Sequence, residues 1–293
     1  MDVGILMPFA SDGWHDITDG QVYSEELGLA LLDHVSDGRF RFGVGRGLSR
    51  REYAPFRAIE MDESRARYDE GTAMVIDALR TGFIEGDGPF YPQPRTEIRP
   101  RPERSFDDRL YCVASSDDSV EAAARFGGRM TMFADRSWEH RMPSIEAYRS
   151  RFSELHGRAA PTLMTADFCL CMPDAAKAEE RAHHYMGTYL GSLLEHYEVM
   201  GDHFAVTEGY DAYAKASEVL RRVGESGFLK MFMSATAWGT PDQILATLER
   251  RREMIGPFEY TTAFRYGGIP FDEARASMEL FAEEVLPVLS TWD

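Results

Sequence analysis

The chain has 293 residues and a formal net charge of −17, with 44% hydrophobic and 12% aromatic residues. That length and apolarity hold a core for one large α/β barrel or two modest domains, and they exclude a disordered polypeptide. The acidic balance excludes attraction to nucleic acid or to an anionic membrane, because the average surface repels both.

Strand and helix signals alternate along the chain. Val3 to Met7 is a short apolar run, as expected for a strand buried on both faces. It lacks a basic leader, so it reads as a first strand rather than a signal peptide, and the expectation is a cytoplasmic protein. A helix follows over Gln21 to His34, then a strand over Phe40 to Val44 that ends in Gly43-Val44-Gly45-Arg46-Gly47. Asp62 is placed to cap a helix that runs to Leu79 and stops at Gly82. Residues 83–109, rich in Pro, Gly and Arg, read as a surface excursion with a hairpin at Asp87-Gly88.

The alternation resumes with a strand at Leu110 to Ala114, a helix over Asp117 to Phe126 and a strand at Arg129 to Phe133. A helix from Ser144 to His156 and a strand from Met164 to Cys171 come next. Residues 174–238 are mostly helical and far longer than one crossover needs. Thr240-Pro241 starts a helix that Gly256 ends, Phe258 to Phe264 is the sixth strand of the series, and Asp272 to Leu289 is the closing helix. Repeated strand-then-helix order means a parallel sheet with helices outside, and no composition break divides the chain, so residues 1–293 read as one domain. Cys112, Cys169 and Cys171 show no zinc-ligand spacing and read as small buried hydrophobes.

Ligands of parallel α/β proteins bind at the carboxyl ends of the strands, so the loops there are the places to search. In Phe42-Gly-Val-Gly-Arg-Gly47 the glycines let backbone approach a ligand, and Arg46 offers a fork of donors suited to phosphate. The third glycine comes too early for a dinucleotide fingerprint, and no Gly-Lys-Ser/Thr follows for a phosphate-binding P-loop. The plain alternative is a tight strand end with an exposed arginine. Ser115, Ser116 and Ser119 lie between a strand and a helix N-terminus, where hydroxyls and free N–H groups receive phosphate; the plain alternative there is an N-cap by Ser116. The two segments follow strands that lie near each other in a parallel barrel, and their convergence favours the phosphate site. His15, in the loop after the first strand, is a candidate base, with a surface-loop histidine as the alternative. A hydrolase would need two carboxylates converging at strand ends, and no such pair stands out.

With these residues in hand, the chain resembles the bacterial luciferase-like, flavin-dependent monooxygenases. The resemblance is carried by Leu32-Asp-His-Val-Ser-Asp-Gly-Arg-Phe-Arg-Phe-Gly-Val-Gly-Arg-Gly47, Met61-Asp-Glu-Ser-Arg65, Gly88-Pro-Phe-Tyr91, Val113-Ala-Ser-Ser116, Gly239-Thr-Pro-Asp-Gln243 and Phe264-Arg-Tyr-Gly-Gly268. It implies a TIM-barrel-like (β/α)8 fold with a helical insertion before the last strand. It also implies reduced FMN, delivered by a separate flavin reductase, that activates O2 to oxidise a small organic substrate; some relatives use the deazaflavin F420. Arg46, Ser115, Ser116 and Ser119 match positions that contact the flavin phosphate in the family. Position 115 is acidic in the luciferase itself, and Gly45 matches a luciferase cysteine near the flavin, so luminescence is not implied. Residues 174–238, with Trp238, match the region that covers the family's active site.

One departure is large. The Gly-Arg-Phe-Arg-Phe-Gly strand is fourth in the family's barrel, yet here only residues 1–38 precede it, room for a single βα unit. About two βα units are missing, together with the Glu-His-His segment that carries the family's catalytic histidine and the helices used for dimer contacts. The expectation is therefore six strands where a closed barrel has eight. A homodimer stays as the possible assembly, and the alternative to an enzyme is a non-catalytic flavin-binding remnant.

Overall fold

A computed structural model describes residues 3–4, 28–54, 60–201, 203–207 and 210–292. In chain order these hold β1 (Val3–Gly4), α1 (Gly28–Val35), β2 (Phe42–Val44), the short α2 (Arg50–Tyr53) and α3 (Ser64–Thr81). The antiparallel hairpin of β3 (Phe83–Gly86) and β4 (Gln93–Glu97) follows, then β5 (Leu110–Val113), α4 (Asp117–Phe126), β6 (Arg129–Phe133), α5 (Trp138–His156) and β7 (Leu163–Phe168). The long insertion consists of α6 (Ala175–His196), α7 (His203–Val206) and α8 (Asp211–Ala235). Last come α9 (Pro241–Ile255), β8 (Phe258–Ala263), α10 (Phe271–Leu280), a π-helical turn (Phe281–Val285) and α11 (Leu286–Leu289).

Most of these boundaries have local causes. Ser116 caps α4 by accepting from the Ser119 N–H, and Gly127 ends it with φ of 73°, a left-handed conformation that costs glycine least. Thr240 and Gln243 form a reciprocal capping box at α9, with Pro241 in the first turn. Several boundaries depart from the sequence reading: the strand expected to reach Cys171 ends at Phe168, and the closing helix starts at Phe271 and passes through the π-helical turn. Asp62 does not cap the following helix: it lies inside a 3-10 turn (Met61–Glu63), and α3 begins at Ser64 with no side-chain cap. Helix α5 starts at Trp138, six residues before the expected Ser144, and runs through Pro143. Tertiary bonds hold that extra turn: Trp138 donates its indole N–H to the Ala235 carbonyl at 3.2 Å, and Arg141 is bonded to Asp135.

The chain resolves into two compact units, one of Met1–Pro8, Thr131–Ala147 and Thr162–Asp293, the other of Phe9–Met130 and Tyr148–Pro161. Among the described residues six strands run parallel to a neighbour, the strand number expected from the sequence, beside the two of the hairpin. In the first unit β1 lies beside β8, β8 beside β7 and β7 beside β6, all parallel, with Val3 opposite Tyr260, Ala166 opposite Thr261 and Phe133 opposite Ala166. In the second unit β2 is parallel to β5, with Phe42 opposite Leu110 and Val44 opposite Cys112. The class is α/β, with parallel strands and helices as expected.

The first unit's core includes Ile244, Leu248 and Ile255 of α9, Phe258 and Tyr260 of β8, and Val285 and Leu289 of the C-terminal helices, all buried. Within it lies a fully buried ion pair. Arg251 donates to both oxygens of Asp167 at 2.9 and 2.8 Å, to the Thr165 hydroxyl at 3.0 Å and to the Ala235 carbonyl at 3.0 Å. Asp167 also accepts from the Ala237 N–H at 3.0 Å, so the pair pins the return of the insertion to the end of β7. In the second unit Met74 and Ala78 of α3 pack with Ile84 and Ile98 under the hairpin. All three cysteines are buried and free, as the sequence reading has them.

Candidate functional site

The second unit brings the two candidate segments together. Pairing of β2 with β5 sets Val44 opposite Cys112, so the chain beyond both strands leaves the sheet side by side. A Cβ at Gly45 would lie 3.4 Å from the Val113 side chain, which measures how closely the two strand ends approach. Arg46 therefore stands on the strand end next to the one that carries Ser115, Ser116 and Ser119.

The serines form a tight knot of hydrogen bonds at the start of α4. The Ser119 hydroxyl oxygen accepts from the Ser115 and Ser116 N–H groups at 2.9 and 2.8 Å, and the hydroxyl donates to the Ser116 carbonyl at 2.7 Å. The Ser116 and Ser119 hydroxyl oxygens are 3.1 Å apart. The N-cap that the sequence offered as the plain alternative is thus formed. The cap takes up the Ser115, Ser116 and Ser119 N–H groups, and what it leaves for an anion is the positive end of the helix.

The residue that sequence reasoning missed is Arg65, in the first turn of α3. All three of its guanidinium nitrogens are buried with no hydrogen-bond partner among the described residues. Burial lowers its pKa first and the positive charge of Arg46 lowers it next; Asp69, Asp118 and Tyr68 oppose that shift. Asp118 is in the first turn of α4, so Arg65 stands near both Arg46 and the serine helix. Asp69 is itself paired with Arg125 at 2.8 Å, which reduces what it offers Arg65. Two guanidiniums held close together, one of them without an acceptor, form an unfavourable arrangement until an anion enters. A signal was present in the sequence: the first turn of α3 contains Arg65 and Arg67 and no acid, the reverse of what the helix dipole favours. Arg67 is compensated by Glu63 at 2.9 Å, and Arg65 is not.

His15 lies outside the described residues. Trp238, at the end of the insertion, is partly buried against the first unit's aromatic core and donates its indole N–H to the Met233 carbonyl at 3.0 Å. Among the described residues no group of three or more His, Cys, Asp or Glu side chains is placed to hold a metal ion. No helix among them is long and apolar enough to cross a membrane.

The luciferase-like monooxygenase profile matches residues 28–257. The chain is 27% identical over 276 residues to the alkanal monooxygenase alpha chain of Aliivibrio fischeri, covering 89% of this chain and 74% of that protein. The crystal structure of the monooxygenase RslO1 from Streptomyces bottropensis is 26% identical, with a TM-score of 0.66 over 91% of this chain and 74% of that one. The same fold, at 14% identity, occurs in the oxygenating constituent of 3,6-diketocamphane monooxygenase from Pseudomonas putida in complex with FMN (TM-score 0.64, 92% and 76% covered). It occurs also, at 14% identity, in the coenzyme F420-dependent tetrahydromethanopterin reductase of Methanopyrus kandleri (TM-score 0.62, 94% and 80% covered). Flavin and deazaflavin proteins thus share this architecture, and the match over most of the chain settles its membership: the chain belongs to the luciferase-like monooxygenase family.

Proposed function

We propose that the chain is a flavin-dependent monooxygenase that takes reduced FMN from a separate reductase and uses O2 to oxidise a small organic substrate. The observation that carries this reading is the buried guanidinium of Arg65 beside Arg46, at the N-terminus of the serine helix. Arg46, Arg65, Ser115, Ser116 and Ser119 would hold the phosphate, with Gly45 leaving room at the strand end. Two guanidiniums beside a helix N-terminus suit a phosphate group, and the titration below separates FMN from F420. The bound flavin supplies the redox chemistry; the protein supplies orientation and exclusion of water.

A second reading, a flavin-binding relative without turnover, is favoured by one observation: no Glu-His-His segment occurs in the chain. Titration of the protein with FMN, riboflavin and F420, followed by reductase-coupled O2 consumption on aldehydes and ketones, separates the readings. FMN binding with turnover supports the enzyme, and FMN binding without turnover on any of them supports the second reading. Failure to bind either cofactor sinks both. Replacing Arg46 with Ala is expected to weaken FMN far more than riboflavin, and equal losses would refute its phosphate role.

A further inference from the structure

A second charged cluster, in the first unit, takes no part in the phosphate site. Past the end of β6 the chain bends at Asp135 and Arg136 before α5 begins, and the Asp135 carboxylate is shared by two guanidiniums. Arg136 donates to its two oxygens at 3.2 and 3.1 Å, and Arg141 reaches one of them as well. Arg141 is only 2% exposed; it also donates to the Phe133 carbonyl at 3.3 Å, and its buried Nε has no acceptor among the described residues. One carboxylate against two guanidiniums leaves one positive charge, in a chain whose net charge is −17. The Asp135 and Arg136 side chains are 37% and 36% exposed, so a small molecule reaches them.

An aromatic wall adjoins this charge. Pairing of β6 with β7 sets Phe133 opposite Ala166, so Asp135 and Phe168, each two residues further on, stand at neighbouring strand ends, and Tyr189 of α6 packs on Phe168. The Tyr189 ring centroid is 4.3 Å from that of Phe168, the last residue of β7, and Phe168 is 5.0 Å from Tyr266 and 5.8 Å from Phe232. The Tyr266 hydroxyl is buried and has no partner among the described residues. Both clusters stand at the carboxyl ends of β6 and β7, the end at which parallel α/β sheets bind ligands.

We propose that Arg136 and Arg141 with the Tyr189–Phe168 wall form a subsite for an aromatic organic acid, its carboxylate on Arg136 and its ring against Tyr189 and Phe168. A single residual positive charge matches a monoanionic carboxylate rather than a phosphate dianion. Naming the acid a substrate rests on the flavin-enzyme reading; its binding does not.

The test is calorimetric titration of the whole protein with benzoate, benzamide and acetate, with FMN titrated in parallel. Benzoate is expected to bind about tenfold or more tighter than benzamide, the scale of one charge-assisted hydrogen bond, and tighter than acetate. Arg136→Met is expected to abolish the preference for benzoate over benzamide, and Arg136→Lys to retain part of it. Asp135→Asn, which frees a guanidinium, is expected to tighten benzoate even if the Met variant folds poorly. Equal binding of benzoate and benzamide, no binding of either, or a preference that survives in Arg136→Met overturns the subsite. FMN binding that persists in those cases leaves the flavin reading standing, and loss of FMN with the benzoate preference intact sinks the flavin reading alone.

Discussion

Replacing Arg65 with Met separates what this side chain does for folding from what it does for binding. In the ligand-free protein its three guanidinium nitrogens are buried without acceptors, next to Arg46, in the first turn of α3. An unsatisfied buried donor costs about 1–3 kcal/mol, and a cation at a helix N-terminus about 0.3–1 kcal/mol. Partial exposure and the attraction of Asp69 and Asp118 offset some of this, so the net penalty is about 1 kcal/mol. Methionine keeps the length and helix propensity of the side chain while removing the charge. The variant is therefore expected to melt about 2–4 °C higher than the parent without ligand. With FMN the sign reverses. Loss of one charge-assisted hydrogen bond to the phosphate is worth about 1.5–3 kcal/mol, or about 10–150-fold in Kd, while riboflavin binding should hardly change. Differential scanning fluorimetry and fluorescence titration of both flavins read the two effects. A variant that melts lower than the parent and binds FMN as tightly would refute the argument, because Arg65 would then be an ordinary structural arginine.

Two further outcomes follow from the buried groups. Arg251→Met or Asp167→Asn alone leaves one buried charge or a cluster of donors uncompensated and is expected to cost about 3–5 kcal/mol in urea unfolding. Asp167→Leu combined with Arg251→Met should recover much of that loss, and single variants no worse than surface substitutions would show that the pair is not isolated from water. Burial pushes the Cys112 and Cys171 thiols up to about 12 and raises Cys169 well above its usual value of 9.0. The unfolded chain then releases these protons first, so stability is full below about pH 9 and is lost as pH rises from there towards about 12. At about pH 8 a thiol reagent should label none of the three in the native protein and all three in concentrated urea; one rapidly labelled native thiol would contradict the burial.

Much of the local architecture was legible because its causes are local. The Ser116 and Thr240 caps, the Gly127 and Gly256 stops and the strand at Arg129–Phe133 depend on residues within one turn of each boundary. The Asp62 cap failed for an equally local reason: the chain tightens into a 3-10 turn there, which moves the first α-helical residue to Ser64. The extra turns of α5 were not legible. Pro143 argues against them, and they are held by bonds to Ala235 and Asp135, the first about a hundred residues away in sequence. Arg46 and the serines stood out in the sequence because a strand end and a helix N-terminus are recognisable anion-binding positions. Arg65 did not, because the feature that distinguishes it, a guanidinium without an acceptor, exists only once the neighbours are in place.

By itself the sequence determined the alternation of strands and helices, the family, the strand count of six and two of the three segments that meet at the proposed phosphate site. These follow from periodicity, capping residues and ordered motifs, all of which act over short separations or are read as patterns. Only the tertiary structure decided which charges are compensated. Arg67 has Glu63, Arg251 has Asp167, and Arg136 and Arg141 share a single Asp135, whereas Arg65 is left to face Arg46. A chain with 32 basic and 49 acidic residues has acids enough for every arginine in composition. Coulomb energy and desolvation depend on distance and burial, and those are fixed only when the chain folds.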